Sequence, residues 1–154
     1  MTRPKRETIY AESVAFHEKY HGKIGIHSKV RIKNRHDLSL AYTPGVGAVS
    51  KAIAQDRELA WKYTIKANTI AIVTDGSRVL SLGNIGGCAA IPAMEGKALL
   101  FKKLANIDAF PICFGKSHPG LAEDIRNIAP VFGGIALEDI AAPRCFEIEE
   151  ALQG

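Results

Sequence analysis

The spacing of apolar positions divides the chain into short strands and longer amphipathic helices. Compact runs rich in branched or aromatic side chains predict strands at residues 69–75, 107–114 and 132–140. A further run at 78–82 follows Asp75-Gly76, which is a tight-turn signal. This order predicts a hairpin between residues 69–75 and 78–82.

Helical spacing of apolar residues fills most of the intervals between these strands. It predicts helices at residues 7–20, 44–55, 57–64, 92–104, 118–129 and 143–153. Thr43-Pro44 fits an N-cap followed by proline at the first helical position, and Gly22 fits a stop for the first helix. Residues 23–40 alternate like a strand, but Gly25 and many polar side chains favour an extended loop, so both alternatives stay open. The order of elements predicts an α/β fold, a small single domain with a mixed or parallel sheet flanked by helices.

Composition supports a single globular domain. The 154 residues are 47% hydrophobic and 23% charged, which is ordinary for a globular protein long enough to bury one core. The formal net charge is +4, but the basic residues outside residues 3–6 are dispersed and no nucleic-acid-binding motif is present. A mildly cationic surface suits small anionic substrates, and no nucleic-acid partner is expected.

Cysteine usage and hydropathy indicate the cellular compartment. Cys88, Cys113 and Cys145 form neither a CxxC pair nor an even disulfide set, so reduced thiols are expected. No apolar run reaches membrane-spanning length, and the N-terminus lacks the apolar segment of a signal peptide. We therefore expect a cytoplasmic protein with no membrane partner.

Residues 81–86, Ser-Leu-Gly-Asn-Ile-Gly, are close to the G-x-G-x-x-G turn that binds dinucleotides. Ser81 replaces the first glycine of that fingerprint, which makes the tight turn. The fingerprint also requires an acidic residue at the end of the next strand, whereas Asp108 lies at the beginning of that strand. The stretch is better interpreted as a turn that packs a helix, or as one whose N–H groups face a carboxylate.

Three places in the sequence carry groups suited to a small anionic substrate, although each also has a purely structural explanation. Tyr42 precedes a predicted helix, where a tyrosine acts as a proton donor or as a packed, hydrogen-bonded anchor. Lys97 lies in a mostly apolar helix, where a lysine serves as a base in a pocket or extends its ammonium group to water. Glu138-Asp139 marks a solvated turn or supplies carboxylates to a hard cation such as Mg²⁺.

Six sequence blocks occur together in an order found in one enzyme family. They are AYTPGV, VTDGSRVLSLGNIG, MEGKALLFK, IDAFPICF, FGGIALEDI and PRCFEIEEAL. On these blocks the chain resembles the N-terminal catalytic domain of the bacterial and archaeal short-subunit malic enzymes, from about His17 to its end. The resemblance implies oxidative decarboxylation of malate to pyruvate and CO₂, with NAD or NADP as cofactor and with Mg²⁺ or Mn²⁺.

The resemblance also implies roles for residues in these blocks. Tyr42 would be the general acid that protonates the enol of pyruvate, and Lys97 the general base toward the malate hydroxyl. Glu138 and Asp139 would supply two ligands to the metal ion.

The turn after the first predicted strand is implied to lie on the substrate side. Arg78 falls where some family members have an arginine that binds a substrate carboxylate. Asn84 belongs to the same turn and is a second substrate-binding candidate.

The resemblance further implies a domain organisation. Residues 1–35 are expected to form an N-terminal helix and an extended dimerisation segment, and residues 36–154 the substrate and metal domain. Family members dimerise, so a homodimer is expected, in which Tyr42 is a candidate to serve the neighbouring subunit. The NAD(P)-binding domain, and an aspartate that is usually a third metal ligand, are expected beyond Gly154.

The isolated chain is therefore expected to be incomplete as an NAD(P)-dependent enzyme. Three explanations are open: a piece of a longer enzyme, one chain of a split enzyme, or a standalone noncatalytic carboxylate-binding or assembly domain of the same fold. The first is favoured, because the sequence ends where an interdomain boundary is expected. The choice between NAD and NADP stays open, as does the choice between Mg²⁺ and Mn²⁺, since both ions accept oxygen ligands.

Overall fold

The computed structural model describes residues 6–153, which contain seven α-helices and three β-strands. The helices are α1 (Arg6–Tyr20), α2 (Arg35–Ala41), α3 (Val46–Gln55), α4 (Leu59–Tyr63), α5 (Gly86–Ala105), α6 (Leu121–Ile128) and α7 (Arg144–Leu152). The strands are β1 (Thr69–Thr74), β2 (Asp108–Cys113) and β3 (Gly134–Leu137). Residues 1–5 and 154 lie outside the described residues. They include most of the basic stretch 3–6, the beginning of the predicted segment 1–35 and the last residue of the predicted domain 36–154.

The three strands form one parallel sheet in the order β2-β1-β3. In the central strand, Ile72 lies opposite Pro111 of β2 and opposite Ala136 of β3. α5 connects β1 to β2, and α6 lies on the connection from β2 to β3. The predicted α/β class is confirmed, and the described sheet is parallel throughout.

The core lies on both faces of β1, because successive side chains of a strand point to opposite faces. On one face Ile72 packs with Met94 and Ala98 of α5. The other face buries a larger cluster that includes α6 and α7: Ala71, Val73, Leu121, Ile125, Ile140 and Ile148. Both faces of β1 are therefore covered by helices, as is usual for a parallel sheet.

The predicted hairpin is wrong. Residues 78–82 form no strand, and a single antiparallel bridge joins Val79 to Gly83. The physical reason is that both edges of β1 are already hydrogen bonded to β2 and β3, so no edge remains for a hairpin partner. Leu80, with a φ of 47° and 72% of its surface exposed, turns the chain back on itself instead.

The predicted start of α3 is also wrong. This helix begins at Val46 after Gly45, so Thr43 is not its N-cap and Pro44 is not its first residue. The tight connection from α2 explains the difference, because the Gly45 N–H donates to the carbonyl of Ser39 over 2.9 Å. Thr43 and Pro44 therefore belong to the turn between the two helices.

Residues 23–40 contain a loop followed by a helix. Residues 21–34 form neither strand nor helix, and α2 begins at Arg35. Asn34 Oδ1 accepts a hydrogen bond from the Asp37 N–H over 2.9 Å, while the Asp37 carboxylate accepts one from the Lys33 N–H over 3.0 Å. These two hydrogen bonds satisfy N–H groups at the start of α2, so side chains cap this helix. The spacing of apolar residues in 23–40 had predicted a strand or a loop there and did not indicate a helix.

The remaining predicted elements are present, with shifted ends. α5 begins at Gly86 rather than at residue 92, and Pro92 lies inside it near the N-terminal end. Helices occur within the predicted ranges 57–64, 118–129 and 143–153, and strands within 69–75, 107–114 and 132–140. Within residues 6–153, no helix combines the length and the apolar character needed to cross a membrane.

Glycines in the turn before α5 allow this helix to approach the sheet closely. Gly76 has a φ of 69°, and a Cβ at this position would lie 2.2 Å from the carbonyl carbon of Gly86. A Cβ on Gly87 would lie 2.0 Å from the carbonyl oxygen of Phe114, just after β2. The helix therefore begins against backbone at the ends of two strands, and this supports the helix-packing interpretation of the turn.

Replacing Gly87 by alanine is expected to lower the free energy of unfolding by about 1–3 kcal/mol, because the new methyl group overlaps backbone that has little room to move. Gly47→Ala in α3 is the matched control, because no atom lies within 4 Å of the Cβ it would add. Removing a helical glycine there is expected to stabilise by about 0.5–1 kcal/mol. Urea denaturation of both variants measures the difference, and equal effects would contradict the close approach at Gly87.

Candidate functional site

The candidate site lies at the carboxyl ends of β1 and β3. α5 connects β1 to β2, which pairs with one edge of β1. The next strand, β3, pairs with the opposite edge of β1, so the strand order reverses at β1. Ligands of open α/β sheets bind outside the carboxyl ends of the strands at such a reversal of strand order. Five of the six residues predicted as site residues follow β1, follow β3 or lie on α5.

Lys97 and Glu138 are in direct contact at this edge. Lys97 Nζ, on α5, lies 3.1 Å from Oε1 and 3.0 Å from Oε2 of Glu138, which follows β3. The side chains are 46% and 24% exposed, so the ion pair is open to a small molecule from solvent. This contact joins a predicted general base to a predicted metal ligand.

Asp139 stands beside this ion pair in a constrained backbone conformation. Its φ of 54° lies in the left-handed region, which non-glycine residues adopt at a cost. Burial raises the pKa of the Asp139 carboxyl above its ordinary value, and the negative charge of Glu138 adds to this against the opposing effect of Lys97. The Asp139 carboxyl is therefore partly desolvated and near the negative charge of Glu138, an arrangement that a bound cation would stabilise.

Arg78 and Asn84 lie on the loop that follows β1. The Arg78 N–H donates to the carbonyl oxygen of Asp139 over 2.9 Å, so the loops after β1 and β3 are in contact. The side chains of Arg78 and Asn84 are exposed, and neither forms a hydrogen bond or an ion pair with residues 6–153. The Arg78 guanidinium is thus available to an anion at this edge.

Tyr42 stands apart from these five residues. It follows α2 and is 67% exposed. Its backbone bonds only within the α2–α3 region, to Leu38 and Val46, and within the described part of the chain no hydrogen bond links it to the other candidates. Within residues 6–153 of one copy, Tyr42 therefore lies on an exposed turn with no hydrogen-bonded connection to the other candidates.

Two residues that the sequence analysis missed organise the loop after β1. Asp75 is only 2% exposed, and its Oδ1 accepts a hydrogen bond from the Ser77 N–H over 3.0 Å. Burial works against the charged form of Asp75, but interactions with the Ser77 and Ser117 hydroxyls and with the Ser77 main chain outweigh it, so the pKa is lowered. The Ser77 hydroxyl oxygen accepts a hydrogen bond from the Ala141 N–H over 2.8 Å. The sequence indicated Asp75-Gly76 as a turn, and an aspartate commonly accepts a hydrogen bond from the N–H two residues on, but the burial of Asp75 and the bond to Ala141 had no signal in the sequence.

Two N–H groups at the helix entry of the glycine turn are hydrogen bonded within the turn. The N–H groups of Ile85 and Gly86 both donate to the carbonyl of Gly76, over 3.1 and 3.2 Å. A phosphate site at a helix N-terminus needs such groups to point at the ligand. These two N–H groups are therefore engaged by the turn itself and do not face a ligand in this structure.

The donor set fits part of the coordination shell of a divalent cation. Among the described residues, no group of three His, Cys, Asp or Glu side chains is placed to hold a metal ion. Glu138 and Asp139 nevertheless form an adjacent pair of oxygen donors. Mg²⁺ is often held by one or two carboxylates together with water and substrate oxygens, so two ligands suffice for a site of this kind.

Comparison with known proteins assigns this α/β fold to a family of enzymes. The family described as malic enzyme, N-terminal domain, matches residues 21–120. The chain is 56% identical to an NAD-dependent malic enzyme of Geobacillus stearothermophilus over 133 residues, which are 86% of this chain and 28% of that protein. It is 50% identical to a bifunctional malic/malolactic enzyme of Bacillus subtilis over 147 residues, which are 95% of this chain and 36% of that protein.

A solved structure agrees with these sequence matches. The malic enzyme of Pyrococcus horikoshii superposes with a TM-score of 0.91 at 48% identity, covering 94% of this chain and 34% of that one. The chain therefore belongs to the malic enzyme family and corresponds to its N-terminal domain. It spans roughly a third of the length of these relatives.

Proposed function

We propose that this chain forms the substrate- and metal-binding part of an enzyme that converts malate to pyruvate and CO₂ with NAD or NADP. The observation that carries the proposal is the contact of Lys97 with Glu138, beside Asp139, at the carboxyl edge of the sheet. Membership of the malic enzyme family supports malate as the substrate. Relatives named as NAD-dependent and as NADP-dependent enzymes support a nicotinamide cofactor of either kind.

Lys97 is the proposed general base of the first step. In its neutral form its amine would take the proton of the malate hydroxyl, and a bound NAD(P) would supply the acceptor for the hydride from C2. Glu138 holds the Nζ atom at the edge of the sheet, 3.0 Å from Oε2. The contact therefore keeps the Lys97 nitrogen at the edge of the sheet, where it acts as a base after losing its proton.

Glu138 and Asp139 are the proposed ligands of Mg²⁺ or Mn²⁺. Their partly buried carboxylates would hold the ion together with water and substrate oxygens. When bound, a divalent cation polarises the ketone of the β-keto acid and so favours loss of CO₂.

Arg78 is the proposed partner of a malate carboxylate. Its side chain is exposed at the loop after β1, and its main chain is fixed to Asp139. A guanidinium group binds a carboxylate through two parallel hydrogen bonds, which orients the substrate as well as attracting it. Asn84, on the same loop, is proposed to donate a further hydrogen bond to the substrate.

Tyr42 is the proposed acid that returns a proton to C3 after CO₂ has left. Because one copy of the chain leaves it outside the cluster, we propose that it serves the site of a second copy. We likewise propose residues 1–35 as the dimerisation segment and residues 36–154 as the substrate and metal domain. We propose that NAD(P) is bound mainly by a further domain, because the chain spans only 28% and 36% of two relatives in the family.

The exposed surface of α1 to α4 supports a dimer. None of the residues in these four helices is buried. Large apolar side chains are exposed on and near them, among them Ile9, Tyr10, Val14, Phe16, Leu38, Leu40, Val46 and Val49. We propose that these exposed apolar side chains contribute to an interaction surface. A second copy is the proposed occupant, because it would also bring Tyr42 to a site.

Mn²⁺ binding tests the proposed function directly. Electron paramagnetic resonance measures the free ion, and malate is expected to strengthen binding because it adds oxygen ligands. Glu138→Gln is expected to weaken Mn²⁺ binding about tenfold or more, as is typical when a metal site loses a ligand or its support. Glu150→Gln in α7 is the matched control, because it removes the same charge from an exposed position outside the site.

Equal Mn²⁺ affinity of Glu138→Gln and the unaltered chain would contradict the assignment of the ligands. Failure to bind Mn²⁺ even with malate present would contradict the proposed function. A noncatalytic carboxylate-binding or assembly domain would then be the better description.

The proposed dimer is expected to depend on the apolar surface of α1 to α4. Leu40→Asp places a charge at a residue that is 63% exposed in the single copy, and we expect it to shift the chain to monomer in sedimentation velocity. Leu104→Asp at the end of α5 is the control, since it is 83% exposed and lies outside this surface. A monomer at high concentration without any substitution would show that the dimer does not form.

A further inference from the structure

The loops after β1 and β3 are joined by two hydrogen bonds, one at the predicted metal ligand Asp139 and one two residues after it. The Arg78 N–H donates to the carbonyl of Asp139 over 2.9 Å, and the Ala141 N–H donates to the Ser77 hydroxyl oxygen over 2.8 Å. The first of these bonds is made entirely by main-chain atoms. The second is accepted by the side chain of Ser77, so a substitution at residue 77 can remove it.

The segment that follows β3 needs this support. Its first residue continues the sheet, because the Glu138 N–H donates to the carbonyl of Val73 over 2.9 Å. The chain then turns at Asp139 with a φ of 54° and buries Ile140 in the core, at 7% exposure. A non-glycine residue holds such a φ only where its surroundings fix it. The contacts on either side of Ile140 therefore determine where the Asp139 carboxylate lies.

Ser77 is itself held from the central strand. The Ser77 N–H donates to Oδ1 of the buried Asp75 over 3.0 Å, and the Gly76 N–H donates to Thr74 Oγ1 over 3.0 Å. Thr74 is fully buried, so both acceptors are fixed by the core at the end of β1. The hydroxyl that receives the Ala141 N–H is thus anchored to the most buried strand of the sheet.

We propose that Ser77 is a positioning residue, whose hydroxyl fixes Ala141 and thereby sets the place of Asp139 beside Glu138 at the site. The hydrogen bond itself is independent of any ligand, whereas its effect on metal binding rests on the proposed function. Ser77 does not touch the metal or the substrate in this scheme. It acts through the backbone of residues 138–141.

Amide hydrogen exchange in the whole chain tests the hydrogen bond, and Mn²⁺ titration tests its consequence. In Ser77→Ala the Ala141 amide is expected to exchange about five- to tenfold faster, since one hydrogen bond of ordinary strength is lost. Mn²⁺ affinity is expected to fall by a similar factor. Ser77→Thr keeps the hydroxyl and is expected to restore both values. Ser81→Ala, at an exposed serine of the same loop, is the matched control and is expected to change neither.

Different outcomes overturn different parts of the proposal. An Ala141 amide that is unprotected in the unaltered chain, or equally protected in Ser77→Ala, overturns the hydrogen bond, and the first measurement requires no variant to fold. Faster exchange with unchanged Mn²⁺ affinity overturns the positioning role. Absence of Mn²⁺ binding in the unaltered chain is a failure of the proposed function, and the exchange data then decide the hydrogen bond alone.

Discussion

Both edges of β1 pair with strands that run parallel to it, and every part of the candidate site depends on that pairing. Parallel strands end on the same side of a sheet, so the residues after β1 and after β3 meet although they are far apart in the sequence. The helix that returns from β1 to β2 carries Lys97 to the same edge, where it contacts Glu138. The glycines at positions 76 and 87 allow that helix to begin against the strand ends, which is the close approach that larger side chains would prevent.

The sequence revealed the strands but not their partners. The apolar run at 69–75 marks a buried strand whatever lies beside it, and the structure places β1 within that run. Residues 78–82 have the local composition of a strand too, and only the occupation of both edges of β1 by distant segments keeps them in a loop. Pairing between distant segments is decided by tertiary packing, which local pattern does not contain. The capping of α2 by Asn34 and Asp37 was, in contrast, a local signal that could have been recognised.

The candidate site was predictable to the extent that its residues lie in recognisable blocks. Lys97, Glu138 and Asp139 are ambiguous one by one, because each residue type also occurs at solvated surfaces. The structure brings them together, while it leaves Tyr42 on a separate exposed turn. Asp75 and Ser77 could not be predicted as organising residues, because Asp-Gly-Ser is a common turn sequence and the burial of Asp75 arises only when the sheet and helices pack around it. The glycine turn that first suggests a nucleotide has a packing explanation, since Gly76 and Gly87 let the helix begin against backbone at the strand ends.

We propose that a divalent cation and a small dicarboxylate bind where the loops after β1 and β3 meet. Paramagnetic broadening of backbone amide signals by substoichiometric Mn²⁺ in the presence of malate locates the ion without reference to activity. The amides of Arg78, Glu138 and Asp139 are expected to lose intensity first, ahead of those in the acidic first turn of α6, at Glu123 and Asp124. Broadening that begins at α6 or another acidic surface, with the β1 and β3 loops unaffected, would contradict the claim.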